Sequence, residues 1–370
     1  MNNIPLIPDA SPERKSFLSK KSFRFTLFLV IIIIASSMLY WVKGANEHHS
    51  QLKPVSKTST IITDNKNVTL SSNKTANSLL DTILYNKNLT HLINGDSSGR
   101  WPVKSAYPNA GAVLPFKRII AFYGNLYSKR MGILGELPPQ KMLEKLQGEV
   151  KSWQKADSVI EVVPALHYIV TTAQMTPGKG NKYRLRMPFK QIDSVLEIAK
   201  QIKALVFLDI QLGHSTLEEE IPALEKYLLM PTVHLGIDPE FAMKTGIVPG
   251  KAIGTLDAVH VNYASNYLAD LVIKNNLPPK ILVVHRFTQG MLTNYKQIKT
   301  RSEVQVVIDM DGWGDQARKV NTYVQYVYKE PVQFTGFKLF YKNDTKSRGR
   351  MLSPADLLKL KPQPVYIQYQ

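Results

Sequence analysis

The chain has 370 residues, 44% of them hydrophobic, and no cysteine. Such a composition is that of a globular protein with room for one large domain or two ordinary ones, and it excludes a disulfide-stapled scaffold and a cysteine-linked lipid anchor. The formal net charge of +18 points to anionic neighbours such as envelope polymers or lipid headgroups, or simply to solubility; nucleic acid is not expected, because no basic helix with interleaved aromatics occurs.

Residues 1–24 form a basic tail with Arg14, Lys15, Lys20, Lys21 and Arg24. Residues 25–42, FTLFLVIIIIASSMLYWV, carry no charge and are about long enough to cross a bilayer as a helix. The positive-inside rule puts the tail in the cytoplasm and the main domain in a periplasmic or extracellular space. A cleaved signal peptide shares the basic region and apolar core. This core is long and aromatic-ended, with no small-x-small site after it, so an uncleaved anchor in the lipid bilayer is expected. Residues 43–112 are rich in Ser, Thr, Asn and Lys and read as a stalk, with one short helix within SLLDTILYNKNLTHLI. Asn67, Asn73 and Asn88 begin Asn-x-Thr sequons, which matter only in a glycosylating pathway.

Within residues 113–370 the pattern changes, and from Lys117 β-branched runs alternate with helix-period segments. The runs read as strands are RIIAFYG, VIEVVPALHYIV, ALVFLDIQ, TVHLGIDPE, AVHVNYA, KILVVHRF, VQVVIDMDGWG and FTGFKLFY. Helices are expected between them, in PPQKMLEKLQGEVKSWQKA, FKQIDSVLEIAKQIKA, LEEEIPALEKYLL, SNYLADLVIKNN and DQARKVNTYVQYVYKE. Eight strands alternating with helices predict an α/β protein of the (β/α)8 TIM-barrel type. A doubly wound open sheet would alternate similarly, but no Gly-x-Gly-x-x-Gly or P-loop follows the first strand.

In such a barrel functional groups gather where strands end, because all the C-terminal strand ends open on one face. The third, fourth, sixth and seventh runs end in Asp209-Ile210-Gln211, Asp238-Pro239-Glu240, His285-Arg286-Phe287 and Asp309-Met310-Asp311. Tyr123, His167 and Asn262 lie on the first, second and fifth. Residues two apart on a strand point the same way, so each doublet aims both its side chains together. A single Asp at a strand end is commonly a helix cap; three doublets at strand ends are expected to build a pocket. Clustered carboxyls hold some members protonated and others ionised, which supplies an acid and a base at one pH. The catalytic candidates are therefore Asp209, Asp238, Glu240, His285, Asp309 and Asp311, with Tyr123, His167, Gln211, Asn262 and Trp313 as substrate-binding candidates. Glu136 reads as preceding a helix start, Glu218 to Glu220 as an acidic first turn, and GKGNKYRLRM as a mobile basic loop.

The segments AFYG, LGE, LDIQ, IDPEF, HVNYAS, VVHRF and DMDGWG resemble exported glycosidase-like barrel proteins of bacteria, including families without an assigned activity. The resemblance covers roughly Lys117 to Tyr341 and implies a barrel with a carbohydrate-type pocket, but it carries over no catalytic residue. The acidic strand end departs from the chitinase-type pattern, whose motif ends in a catalytic Glu where this chain has Gly or Trp. A glycosidase needs one protonated and one ionised carboxyl, and Glu240 with one of Asp209, Asp309 or Asp311 is the expected pair, acting on envelope carbohydrate.

The alternative is a type II membrane glycosyltransferase that holds a metal–diphosphate on Asp309 and Asp311, although its motif would then lie in the seventh of eight strands. A barrel that binds glycan without chemistry is also open. A metal-dependent hydrolase would use His285, Asp309 and carboxylates of the third and fourth strands. No tight His-x-His or Glu-x-x-His pair occurs, so neither a metal nor another cofactor is expected.

Overall fold

The computed structural model describes residues 79–243, 246–346 and 349–370. The basic tail and the apolar run Phe25 to Val42 lie outside the described residues. Among those described, no helix is long and apolar enough to cross a membrane.

Eight strands form the central sheet: β1 (Lys117–Gly124), β2 (Glu161–Ala173), β3 (Leu205–Ile210), β4 (Val233–Ile237), β5 (Lys280–Arg286), β6 (Val304–Met310), β7 (Phe334–Leu339) and β8 (Tyr366–Tyr369). Each pairs in parallel with the next, and β8 pairs in parallel with β1, so the sheet closes. This is the (β/α)8 architecture that the alternation predicted. Helix α1 (Thr82–Ile93) precedes the barrel, and the helical layer consists of α2 (Pro139–Ala156), α3 (Phe189–Lys200), α4 (Ala258–Asn275) and α5 (Gln316–Tyr323), with shorter turns elsewhere. Between β5 and β6 it thins to the 3-10 turns Gln289–Met291 and Tyr295–Gln297.

One expected strand is corrected, and one strand was not expected. AVHVNYA is not the fifth strand but the start of α4, where Asp257 accepts from Val259 N and His260 completes the capping box. Its valines and aromatics imitate a strand, yet the buried Val261, Ala264, Leu268 and Leu271 recur at helical spacing. The eighth strand is instead Tyr366–Tyr369, in a short polar-looking segment that follows Pro362 and Pro364.

The lower end of the barrel is closed by residues expected to be stalk. Helix Thr82–Ile93 is capped by Asp81, and its Leu92 joins Leu114 and the inward-facing Ile119, Phe207, Ile281 and Val307 in one apolar cluster. Gln305, buried on β6, accepts from Val113 N at 3.2 Å and Leu114 N at 3.0 Å. The Asn88 amide is buried and donates to Pro115 O at 3.2 Å, so its sequon cannot carry a glycan in the folded chain. The basic loop after β2 is also ordered: Arg184–Arg186 pairs antiparallel with Thr171–Ala173. Arg184 and Arg186 each lie 2.7 Å from the buried Glu220 carboxylate. An acid buried beside two guanidiniums fixes the loop, because leaving it unpaired would be costly.

Helix α2 starts at Pro139, where a missing N–H costs nothing, and buries Met142, Leu143, Leu146 and Trp153 against the barrel. The Trp153 indole N–H donates to Tyr369 Oη at 2.9 Å, and Arg118 lies 5.5 Å from its ring centroid. Trp153 thereby ties α2 to β8. Replacing Trp153 with Ala is expected to cost about 3–5 kcal/mol of stability, read as a lower denaturant midpoint with an unchanged slope.

Candidate active site

Because the barrel is closed, alternate residues of every strand face its interior. Low in the barrel these are apolar, as with Ile119 and Ala121 on β1 or Ile281 and Val283 on β5. One step higher the same faces carry Tyr123 and His285, and neighbouring strands add His167, Asp209 and Asp309, all fully buried or nearly so. Strands β1, β2, β3, β5 and β6 therefore change from apolar to ionisable along their inward faces.

Two glycines make this layer possible. A Cβ on Gly236 of β4 would lie 2.4 Å from Asp209 Oδ1 and 2.5 Å from His167 Nε2. On Gly336 of β7 it would lie 2.5 Å from Asp309 Oδ1. Each Asp is thus laid across the glycine that neighbours it in register, Asp209 on Gly236 and Asp309 on Gly336.

The polar groups form a connected chain across the barrel. His167 Nδ1 meets Tyr366 Oη, and His167 Nε2 lies 3.2 Å from Asp209 Oδ1. Tyr123 Oη donates to Asp209 Oδ2 at 3.0 Å. His285 lies between acids, with Nε2 3.4 Å from Asp209 Oδ1, and with Nδ1 3.3 Å from Asp309 Oδ2 and 3.1 Å from Asp311 Oδ2. Lys338 Nζ then pairs with Asp311 Oδ1 at 2.9 Å and lies 3.7 Å from the Tyr123 ring centroid.

Burial and charge drive these groups apart in acidity. Burial alone would lower the His285 pKa, but Asp209, with Asp309 and Asp311, outweighs it and holds the imidazole well above its ordinary value. Burial opposes ionisation of Asp209 as well, yet His285 and His167 keep it below the usual carboxylate range. Asp311 is depressed against its burial by Lys338 and then His285. Burial raises Asp309 despite His285 nearby, and lowers His167 to about 4. Toward the opening, burial raises Asp238 well above its ordinary value, and Glu240 and Asp209 add to the rise. Burial, then the charge of Asp311, pushes Glu240 up to about 7.

Above this layer, at the C-terminal strand ends, lies a cavity of about 690 Å³. Tyr123, Gln211, Asp238, Glu240, Asp311, Trp313 and Lys338 all contribute to its wall. Trp313 is 53% exposed there. Asp209 and Gln211 converge as their spacing requires, since both reach Tyr123 Oη. Asp238 is both a cap, accepting from Glu240 N at 3.0 Å, and a cavity wall; Glu240 lies on the 3-10 turn Pro239–Phe241 rather than on β4. Asp309 and Asp311 both approach His285, but only Asp311 lines the cavity. His167, Asp209 and His285 lie beneath it, fully buried.

Asn262 is not in the site. It lies on α4 and hydrogen-bonds Gln297 O and Lys299 N, a direct result of the strand it was assigned to being a helix. The readings from sequence missed Lys338, Tyr366 and Gln368. Period-two reading of FTGFKLFY would have placed Lys338 on the same face as Gly336; Tyr366 and Gln368 belong to the overlooked eighth strand. Gln368 donates to Tyr366 Oη at 2.9 Å.

The fold and site together define a closed (β/α)8 barrel with an acidic, histidine-bearing interior under a polar cavity. No protein-family model matches the chain, and no curated protein matches it.

The Lys338–Asp311 pair is expected to be the main charge contact at the cavity floor. Replacing Lys338 with Met leaves the buried Asp311 carboxylate with His285 as its remaining charge partner and should cost roughly 1.5–3 kcal/mol near neutral pH. The depressed Asp311 contributes stability above its unfolded pKa of about 3.9, and that contribution is lost as pH falls through its lower folded value. The deficit of the variant is therefore expected to be largest near neutrality and to narrow below about pH 4, measured by denaturant midpoints across pH.

Proposed function

We propose that the chain is a glycoside-hydrolase-like enzyme acting on envelope carbohydrate, held outside the cytoplasm by the apolar run Phe25 to Val42. The reading is carried by one pairing: Glu240, held protonated up to about pH 7, and Asp311, held ionised, on the wall of the same cavity. Glycosidic cleavage calls for that division of labour. Glu240 gives its proton to the leaving oxygen as the C–O bond breaks. Asp311 either attacks the anomeric carbon or takes a proton from the attacking water, and one water is consumed per bond. Trp313, exposed at the mouth, offers a ring face for a sugar, while Tyr123 and Gln211 offer polar contacts at the floor.

The transferase reading is less well supported. It needs both acids of Asp309-Met310-Asp311 on a diphosphate-bound metal, and Asp309 is not on the cavity wall.

Incubation of the full-length chain with a panel of envelope glycans, scored for new reducing ends, tests the proposal. Glu240→Gln and Asp311→Asn are each expected to lower turnover by about 10²–10⁴-fold while glycan binding persists. The rate should fall as pH rises through about 7, where Glu240 loses the proton it must donate. On the acid side it should hold until Asp311 is protonated, below the ordinary carboxylate range. Glycan binding by the unaltered chain with no turnover at any pH would replace the enzyme with a glycan-binding barrel.

A further inference from the structure

Beneath the cavity floor, three donor atoms from three strands point at one another. His167 Nε2 and His285 Nε2 lie 3.2 Å and 3.4 Å from the same oxygen, Asp209 Oδ1. All three atoms lie within 4.8 Å of one another, and all three side chains are fully buried. None of these three atoms makes an aligned hydrogen bond among the described residues. A tetrahedral ion bound at about 2.0–2.1 Å holds its donors about 3.3 Å apart, close to the two separations seen.

The far side of each donor group is held separately. Tyr366 Oη meets His167 Nδ1. Tyr123 Oη donates to Asp209 Oδ2 at 3.0 Å. Asp309 and Asp311 lie 3.3 Å and 3.1 Å from His285 Nδ1. Outer partners of this kind orient the ligands of metal centres, and a carboxylate behind a ligating imidazole is a recurrent form. Gly236 keeps the space beside the donors clear, since its Cβ would lie within 2.5 Å of both Asp209 Oδ1 and His167 Nε2.

We infer that His167, Asp209 and His285 form a binding site for one divalent transition-metal ion, with zinc as the best match to two imidazoles and one carboxylate. The site differs from the metal-free expectation and from the alternative set that included Asp309, which stands behind His285 instead. It is independent of the glycosidase proposal: no step of the Glu240–Asp311 chemistry passes through the ion, and either proposal can fail alone. The competing occupant of His285 Nε2 is a proton, which would make the ring an imidazolium between acids.

Because the donors are fully buried, the ion is expected to enter as the chain folds. The full-length chain is therefore produced in medium supplemented with zinc, or with cobalt in its place, and purified without chelator. The expected result is about one ion per chain by elemental mass spectrometry, with the visible d–d bands of histidine-ligated cobalt and a higher thermal midpoint than the chelator-treated chain. Asp209→Asn, which preserves side-chain shape, should abolish uptake. Tyr123→Phe, which keeps the ring packing and removes only the outer hydrogen bond, should weaken affinity by about 10–100-fold, and it decides the matter if Asp209→Asn does not fold. An unaltered chain that purifies without stoichiometric metal from both media would overturn the proposal. So would uptake of metal that neither substitution changes.

Discussion

Two buried basic groups, His285 and Lys338, and their acids share the upper interior of the barrel, which is arranged around their neutralising one another. His285 stands between Asp209 on one side and Asp309 and Asp311 on the other, and Lys338 meets Asp311 from β7. An isolated charge at this depth would be driven to its neutral form. Here the paired groups keep Asp209 and Asp311 ionised, whereas burial prevails at Asp309, Asp238 and Glu240. Acidity therefore rises and falls across a few strands because compensation is unequal from one acid to the next. The same inequality that holds the interior together sets two different protonation states on the cavity wall.

The packing below and around the polar layer lets it stay rigid. Leu92 and Leu114 fill the lower mouth, and the buried Gln305 fixes the chain entering β1. On the outside, Trp153 binds α2 to β8. Side chains of a charged layer hold their geometry only when the elements that carry them cannot shift, and closure at both the seam and the base supplies that restraint.

Much of this was legible in the sequence. The alternation of runs predicts a closed barrel, and the period of two predicts which polar side chains converge, as Asp209 with Gln211 and Asp309 with Asp311 do. The failures came where local composition competes with a longer-range requirement. AVHVNYA is rich in strand-forming residues, but Asp257 caps a helix there and its buried face repeats every three or four residues. YIQY is four residues long and lies near two prolines, too short for periodicity to register, yet closure of the sheet requires it. Residues 79–112 look like a linker because they are polar, although a few apolar side chains, Leu92 and Trp101 among them, suffice to seat the segment. How deep each acid lies was not legible at all: Asp309 and Asp311 look equivalent in sequence, and only three-dimensional position separates an interior acid from one on the wall.

The two glycines also constrain how such a barrel can diverge. Gly236 and Gly336 are each filled by the carboxylate of an adjacent strand, so neither member of a pair can change freely. Enlarging either glycine expels the acid, and losing the acid opens a methyl-sized gap that an alanine or serine at the glycine position would fill. Substitutions at 209 and 236, and at 309 and 336, are therefore coupled. A descendant barrel that had given up its acidic layer would carry that loss as a pair of larger residues on β4 and β7, legible in its sequence where the chemistry itself is gone.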